Sequence, residues 1–151
     1  MSGQMGNTAE SDLLKLLFQN TNWANVGNAG GLSGSSAAGS FFIGLATAAL
    51  SGSSTQSSSE AAYTGYGRVA VARSTGGWTI TGSSPTTSEN AAAVTFGACT
   101  GGSETEQAAQ IGRDSSGTGE TIVLGPLTAN LAVSNGITPS FAINALQATL
   151  L

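Results

Sequence analysis

Apolar residues recur along this chain in two periods. Between residues 8 and 20, Leu13, Leu14, Leu16, Leu17 and Phe18 fall at helical spacing on one broad face. Glu10 and Asp12 sit in the first turn, where the helix dipole favours anions, and Ser11 or Thr8 is placed to cap. This spacing predicts one amphipathic helix. Beyond it the period drops to two. Residues 40–48 put Phe42, Gly44, Ala46 and Ala48 on one side and Phe41, Ile43, Leu45 and Thr47 on the other, which predicts a strand buried on both faces. In residues 66–73, Gly67, Val69, Val71 and Arg73 alternate with Tyr66, Arg68, Ala70 and Ala72. Gly76-Gly77 then reads as a turn into a strand beginning at Trp78, so residues 66–81 are expected to form a hairpin.

Further strands are expected at residues 91–96, 104–111, 120–124, 127–133 and 137–143, with 145–151 either a last strand or an apolar tail. Glycine and serine runs at 27–36 and 51–59, and the segment 82–89, read as loops, the first of them flexible by composition. Short strands following one another with almost no helix between them imply an all-β fold, an antiparallel jelly roll or β-sandwich with a short N-terminal helix. The expected organisation is an N-terminal arm over residues 1–39, carrying the helix and the flexible loop, and a sandwich domain over 40–151. Such a helix either closes one end of a sheet domain or docks on a neighbouring subunit, because a short terminal helix is marginal until it packs on something.

Composition narrows the partners. The 151 residues can bury one domain's core unaided. Only 8% of them are charged, against roughly 25% in an ordinary soluble domain, and so sparse a charge suits a surface covered by partners. With a net charge of −4 and only Lys15, Arg68, Arg73 and Arg113 as cations, no basic patch can neutralise a run of phosphates. No nucleic-acid partner is expected. The apolar run 41–50 is interrupted by Gly44 and Thr47 and is too short to span a bilayer, so no membrane partner is expected either. The N-terminus lacks a basic region followed by an apolar run, and assembly in a reducing cytoplasm is the simplest inference. Cys99, the lone cysteine, reads as a small buried hydrophobe.

The absence of histidine removes the Ser-His-Asp and Cys-His routes to an activated nucleophile, and with them a Cys/His zinc site. Glu104 and Glu106 share one face of a strand, as a glycosidase acid and base can, but beside Gly101-Gly102 they read as a solvated strand end. Residues 114–120 lack the spaced carboxylates of a calcium loop. Gly65-Tyr66-Gly67-Arg68-Val69-Ala70 fits a loose dinucleotide fingerprint, yet no strand precedes it and no helix follows. Trp78 and Tyr66 read as core or cross-strand aromatics rather than a sugar platform. No catalytic residue, cofactor or metal site is expected, and no enzymatic activity.

The blocks Asp12-Leu13-Leu14-Lys15-Leu16-Leu17-Phe18, Phe42-Ile43-Gly44-Leu45-Ala46-Thr47-Ala48, Glu60 followed by Tyr66-Gly67-Arg68-Val69-Ala70-Val71, Ala93-Val94-Thr95-Phe96 and Thr121-Ile122-Val123-Leu124-Gly125-Pro126-Leu127 stand in this order. Together they resemble a family of small tailed-bacteriophage virion proteins, many labelled tail fibre proteins, while similar small jelly-roll proteins serve as capsid cement. The sequence departs from that pattern in the loop 51–59, which lacks the Asp-Pro that often follows the first strand. The resemblance implies a structural role on the virion. It does not choose between capsid and tail; the sparse charge, the two-sided apolar strands and the apolar terminal helix add the expectation of a capsid cement protein, a dimer or trimer assembled in the host cytoplasm that bridges major capsid protein subunits on the capsid surface. A tail or tail-fibre component facing a receptor is the alternative. Leu13, Leu17 and Phe18 on the helix, with Arg68 and Arg73, are the candidate assembly contacts. A carbohydrate-binding or carbohydrate-cleaving reading would require a site built from Trp78, Tyr63, Tyr66 and the Glu104/Glu106 pair.

Overall fold

The amphipathic stretch folds as α1 (Asn7–Gln19) in a computed structural model that describes residues 5–83 and 85–150. Gly6 takes the N-cap position and no side chain bonds there, so the expected caps Thr8 and Ser11 lie inside the helix instead. At the other end Asn20 adopts the left-handed conformation (φ 56°), and the Thr21 N–H donates to the Lys15 carbonyl at 3.1 Å. This closes the orphan carbonyls in the usual C-terminal manner. The strands that follow are β1 (Ser40–Ala46), β2 (Val69–Ala72), β3 (Trp78–Thr81), β4 (Thr86–Asn90), β5 (Val94–Thr95), β6 (Ser103–Gly112), β7 (Thr121–Ser134), β8 (Ser140–Phe141) and β9 (Gln147–Leu150). The protein is therefore all-β with one short N-terminal helix among the described residues, its strands paired antiparallel as expected of a β-sandwich protein.

Two compact units divide the chain. The first comprises Met1–Gly39, Ala72–Ala93 and Ala142–Leu151, so that residues 1–39 group with two later segments. Its sheet has the order β3-β4-β9. Glu10, Leu14 and Phe18, one helical turn apart, form the buried face of α1. Phe18 meets Trp78 edge to face with centroids 4.8 Å apart, and neither ring is exposed. Each such burial stabilises by about 2–3 kcal/mol. The loop after α1 is held in place: Trp23 and Leu32 form a two-way backbone bridge, and the Asn20 side chain both donates to and accepts from the Ser35 backbone.

β4 falls where a loop was expected. Its alternation is real but polar: Thr86, Ser88 and Asn90 are buried while Thr87 and Glu89 are half-exposed. Asn90 shows how the inward face is satisfied. Its Nδ2 donates to the carbonyls of Ala92 (2.7 Å) and Ala142 (2.8 Å), and its Oδ1 accepts from the Leu146 N–H (2.8 Å).

The second unit comprises Ser40–Val71 and Val94–Phe141, with a sheet of order β2-β1-β6-β7 and the two-stranded pair β5-β8. β1 is an interior strand, paired with β6 through Ile43↔Ile111 and Leu45↔Ala109, and it is buried on both faces as its sequence predicts. Cys99 is likewise buried. The expected hairpin over residues 66–81 does not form: β2 lies next to β1, and β3 pairs with β4. Ser74 ends the run of pairing, because its carbonyl accepts from both Gly77 and Trp78 N–H groups in a tight turn, and Trp78 is drawn into the core beside Phe18.

The strands expected at 120–124 and 127–133 are a single strand, β7, which begins at Thr121, while Glu120 bridges to Thr55. The break at Gly125-Pro126 survives as a slip in register. Ala108 pairs with Pro126 and Glu106 with Leu131, so residues 127–130 stand opposite Gln107 alone and bulge from the sheet.

Candidate functional site

Arg68 sits just before β2, and its side chain is only 2% exposed. Its fork grips Glu60 with Nε–Oε1 at 2.6 Å and Nη2–Oε2 at 2.7 Å, while Nη1 donates to the Asp114 carbonyl and Nη2 to that of Gly117. The bond to Glu60 raises the Arg68 pKa above its ordinary value. The Tyr66 hydroxyl donates to Glu60 Oε1 at 3.0 Å and accepts from the Leu45 N–H at 3.1 Å, and burial pushes its pKa upward. Gln56, fully buried, continues the network. Its Nε2 donates to the Asp114 carbonyl, its Oε1 accepts from the Asp114 N–H, and its backbone carbonyl accepts from Gln110. A Cβ at Gly112 or Gly119 would overlap the Gln56 side chain, so glycine is what lets the chain pass here. The bidentate Arg68–Glu60 pair closes residues 60–68 on themselves, and the remaining guanidinium bonds, with those of Gln56, fix this segment to the 113–119 loop.

A second cluster lies at the other end of β6. Glu104 Oε1 accepts from the N–H groups of Ala62 (2.9 Å) and Tyr63 (3.0 Å), and the Tyr63 hydroxyl donates to the Gly97 carbonyl. Glu106, two residues on, is fully buried, and neither carboxylate oxygen has a hydrogen-bond partner among the described residues. Burial foremost, and then the nearby Glu104 carboxylate, push its pKa up to about 7. Burial and the Glu106 charge likewise push Tyr63 up to about 12. The pair expected as a solvated strand end thus contains an interior carboxyl group, because strand pairing continues past Glu106, which stands beside Leu131 and away from the open end at Ser103.

Between β7 and the β5-β8 pair lies a cleft of about 210 Å³, lined by Leu45, Phe96, Leu127, Leu131, Pro139 and Phe141 together with Thr128, Ala129 and Ser140. No charged group lines it. Aromatics fill the space beside it: Tyr63 meets Tyr66 edge to face at 5.4 Å, and Tyr66 stacks on Phe96 at 6.1 Å.

The expected assembly contacts separate into two kinds. Leu13 and Leu17 flank the buried face of α1 and keep part of their surface exposed. Phe18 is buried in the core of its unit, and the Arg68 side chain is turned into the clamp with 2% of its surface exposed. Arg73 is half-buried; it donates to the carbonyls of Leu16, Leu17 and Ala38. It supplies the positive charge that the last turn of α1 lacks. The sugar platform is not assembled: Trp78 and Tyr63 are each buried inside their own units.

In both clusters the ionisable groups are turned toward the chain's own loops, which defines an all-β protein whose polar interior holds its architecture. Residues 4–149 match the family described as Podophage GP4 fiber I protein gp80, and the chain belongs to that family. It is a structural protein of a bacteriophage virion, in accord with the tail-fibre label of the proteins its sequence resembles. A comparison with curated proteins gives no match.

Proposed function

We propose that this chain is a subunit of a virion fibre. The observation that carries the reading is the match of residues 4–149 to a family described as a fibre protein, which favours the fibre alternative over capsid cement. The physical character of the chain suits the role. Several of its few charges, Glu10, Arg68 and Glu106 among them, are spent inside the units, and residues 121–151 carry none at all, so that assembly through that stretch buries little charge. Its work on the particle is mechanical, with no enzymatic step, and its contacts are with copies of itself and with neighbouring virion proteins.

Immunogold labelling of purified virions with antibody to this chain, together with quantitative mass spectrometry, tests the reading. A fibre subunit is expected at fibres, at a copy number of a few to tens per particle on the order of other appendage proteins. Label spread over the shell, with a copy number in proportion to the major capsid protein, would establish the cement role instead.

A further inference from the structure

Glu106 is the last residue of β6 in register with β7 before the slip: it stands opposite Leu131, and the next pairs join Ala108 to Pro126 and Ala109 to Gly125. Directly opposed residues of an antiparallel pair carry their side chains on one face, so the Glu106 carboxyl lies beside the Leu131 side chain. Both of its oxygens are buried without a hydrogen-bond partner among the described residues. The ionisable groups around it are Glu104 on its own strand, Tyr63 on the segment that Glu104 holds, and Cys99, which acts on Tyr63. β7 brings none, since residues 121–134 contain no ionisable side chain. No cation is among these neighbours, so an ionised Glu106 is stabilised only by admitting water.

Water enters most easily where the sheet is weakest. β6 pairs with β1 only from Ala108 onward, so at Glu106 its one sheet partner among the described residues is β7. Just beyond, residues 127–130 stand opposite Gln107 alone, whose side chain is turned to the Thr47 carbonyl at 2.7 Å. Thr128, Ala129 and Asn130 are exposed, and Leu127 and Leu131, both half-exposed, line the apolar cleft with Phe96 and Phe141. Leu131 is thus at once the neighbour of Glu106 and part of the cleft wall.

We propose that Glu106 is a proton-operated latch on residues 127–131: protonated, it lets the segment stay closed, and on losing its proton it drives the segment open at Leu131, admitting water and exposing the apolar cleft. The sign follows from burial. Closed, Glu106 keeps its proton up to about 7, whereas a hydrated carboxyl gives it up near the ordinary 4.5, so opening is favoured as pH rises. The closed form stays the major one, and the population of the open form grows. The latch is independent of the fibre assignment.

Residue-resolved amide exchange of the full chain at pH 6 and 8.5, each rate divided by the intrinsic rate at that pH, tests it. In the wild type the opening constant of residues 105–107 and 131–133 is expected to rise on the order of tenfold. The rise should persist unchanged in low urea, as local opening does, and residues 43–45 should remain more strongly protected at both pH values. Glu106→Gln cannot ionise and is expected to show no rise. If it loses its fold, Glu106→Met, apolar and of similar volume, takes its place with the same expectation. No rise in the wild type, an equal rise in the variant, or a rise with the urea dependence of global unfolding would each overturn the proposal.

Discussion

Glu106 makes the stability of this protein depend on pH in an unusual direction. Its carboxyl group is fully buried, without a hydrogen-bond partner among the described residues, and faces Tyr63 and Glu104. Folding raises its pKa from the ordinary 4.5 to about 7. The native state therefore holds this proton more tightly than the unfolded chain does, and its contribution to stability is complete below the unfolded value. It is lost as pH rises through the folded value. At about 1.36 kcal/mol per unit, the shift corresponds to a loss of about 3 kcal/mol between roughly pH 4.5 and 8. Urea unfolding of the wild type and Glu106→Gln at intervals from pH 5 to 9 measures it. The amide stays neutral, so the variant carries a constant cost for its buried amide but none of this slope. The wild type is expected to lose about 3 kcal/mol relative to Glu106→Gln across the window, and then run parallel to it. Parallel curves over the whole range, or a wild type that gains on the variant as pH rises, would refute the reasoning.

Four further outcomes follow from the packing around the interior polar groups. Arg68→Ala leaves the half-buried Glu60 without its counter-ion and is expected to cost about 3 kcal/mol in urea unfolding, the low end for a buried pair because Glu60 keeps 20% exposure. Arg68→Lys, which keeps the charge and loses the fork, is expected to fall between wild type and Arg68→Ala. Asn90→Ala deprives the Leu146 N–H and two carbonyls of a partner, and the expected loss is about 2–3 kcal/mol by thermal unfolding. Gly112→Ala drives a Cβ into the Gln56 side chain and is expected to cost about 1–3 kcal/mol in the same assay.

How much was legible in the sequence depended on where the apolar residues fell. α1 and β1 could be read because burial and hydrophobicity coincide in them: Leu14 and Phe18, then Phe41, Ile43 and Leu45, are buried in the periods their spacing predicts. β4 could not be read in this way. Its inward residues are Thr86, Ser88 and Asn90, whose burial depends on partners supplied by distant segments, such as the Glu10 carboxylate that accepts from Thr86. The candidate site was half legible for the same reason. Glu60, Tyr66 and Arg68 stood out as a motif, yet nothing local showed that Arg68 would turn inward to the carbonyls of Asp114 and Gly117, 46 and 49 residues away.

By itself, then, the sequence determined the all-β class, the N-terminal helix, the two-sided burial of β1 and the virion family, because local periodicity and ordered motifs carry those properties. Only the tertiary structure decided which strands pair and which ionisable groups are buried. The turn at Ser74 sends β3 to β4 instead of back to β2, β7 runs through Pro126 with a slip in register where two strands were predicted, and burial in the second unit makes Glu106 an interior acid. Each of these is settled by contacts between residues far apart in the chain, where hydrogen-bond satisfaction and desolvation outweigh local preference.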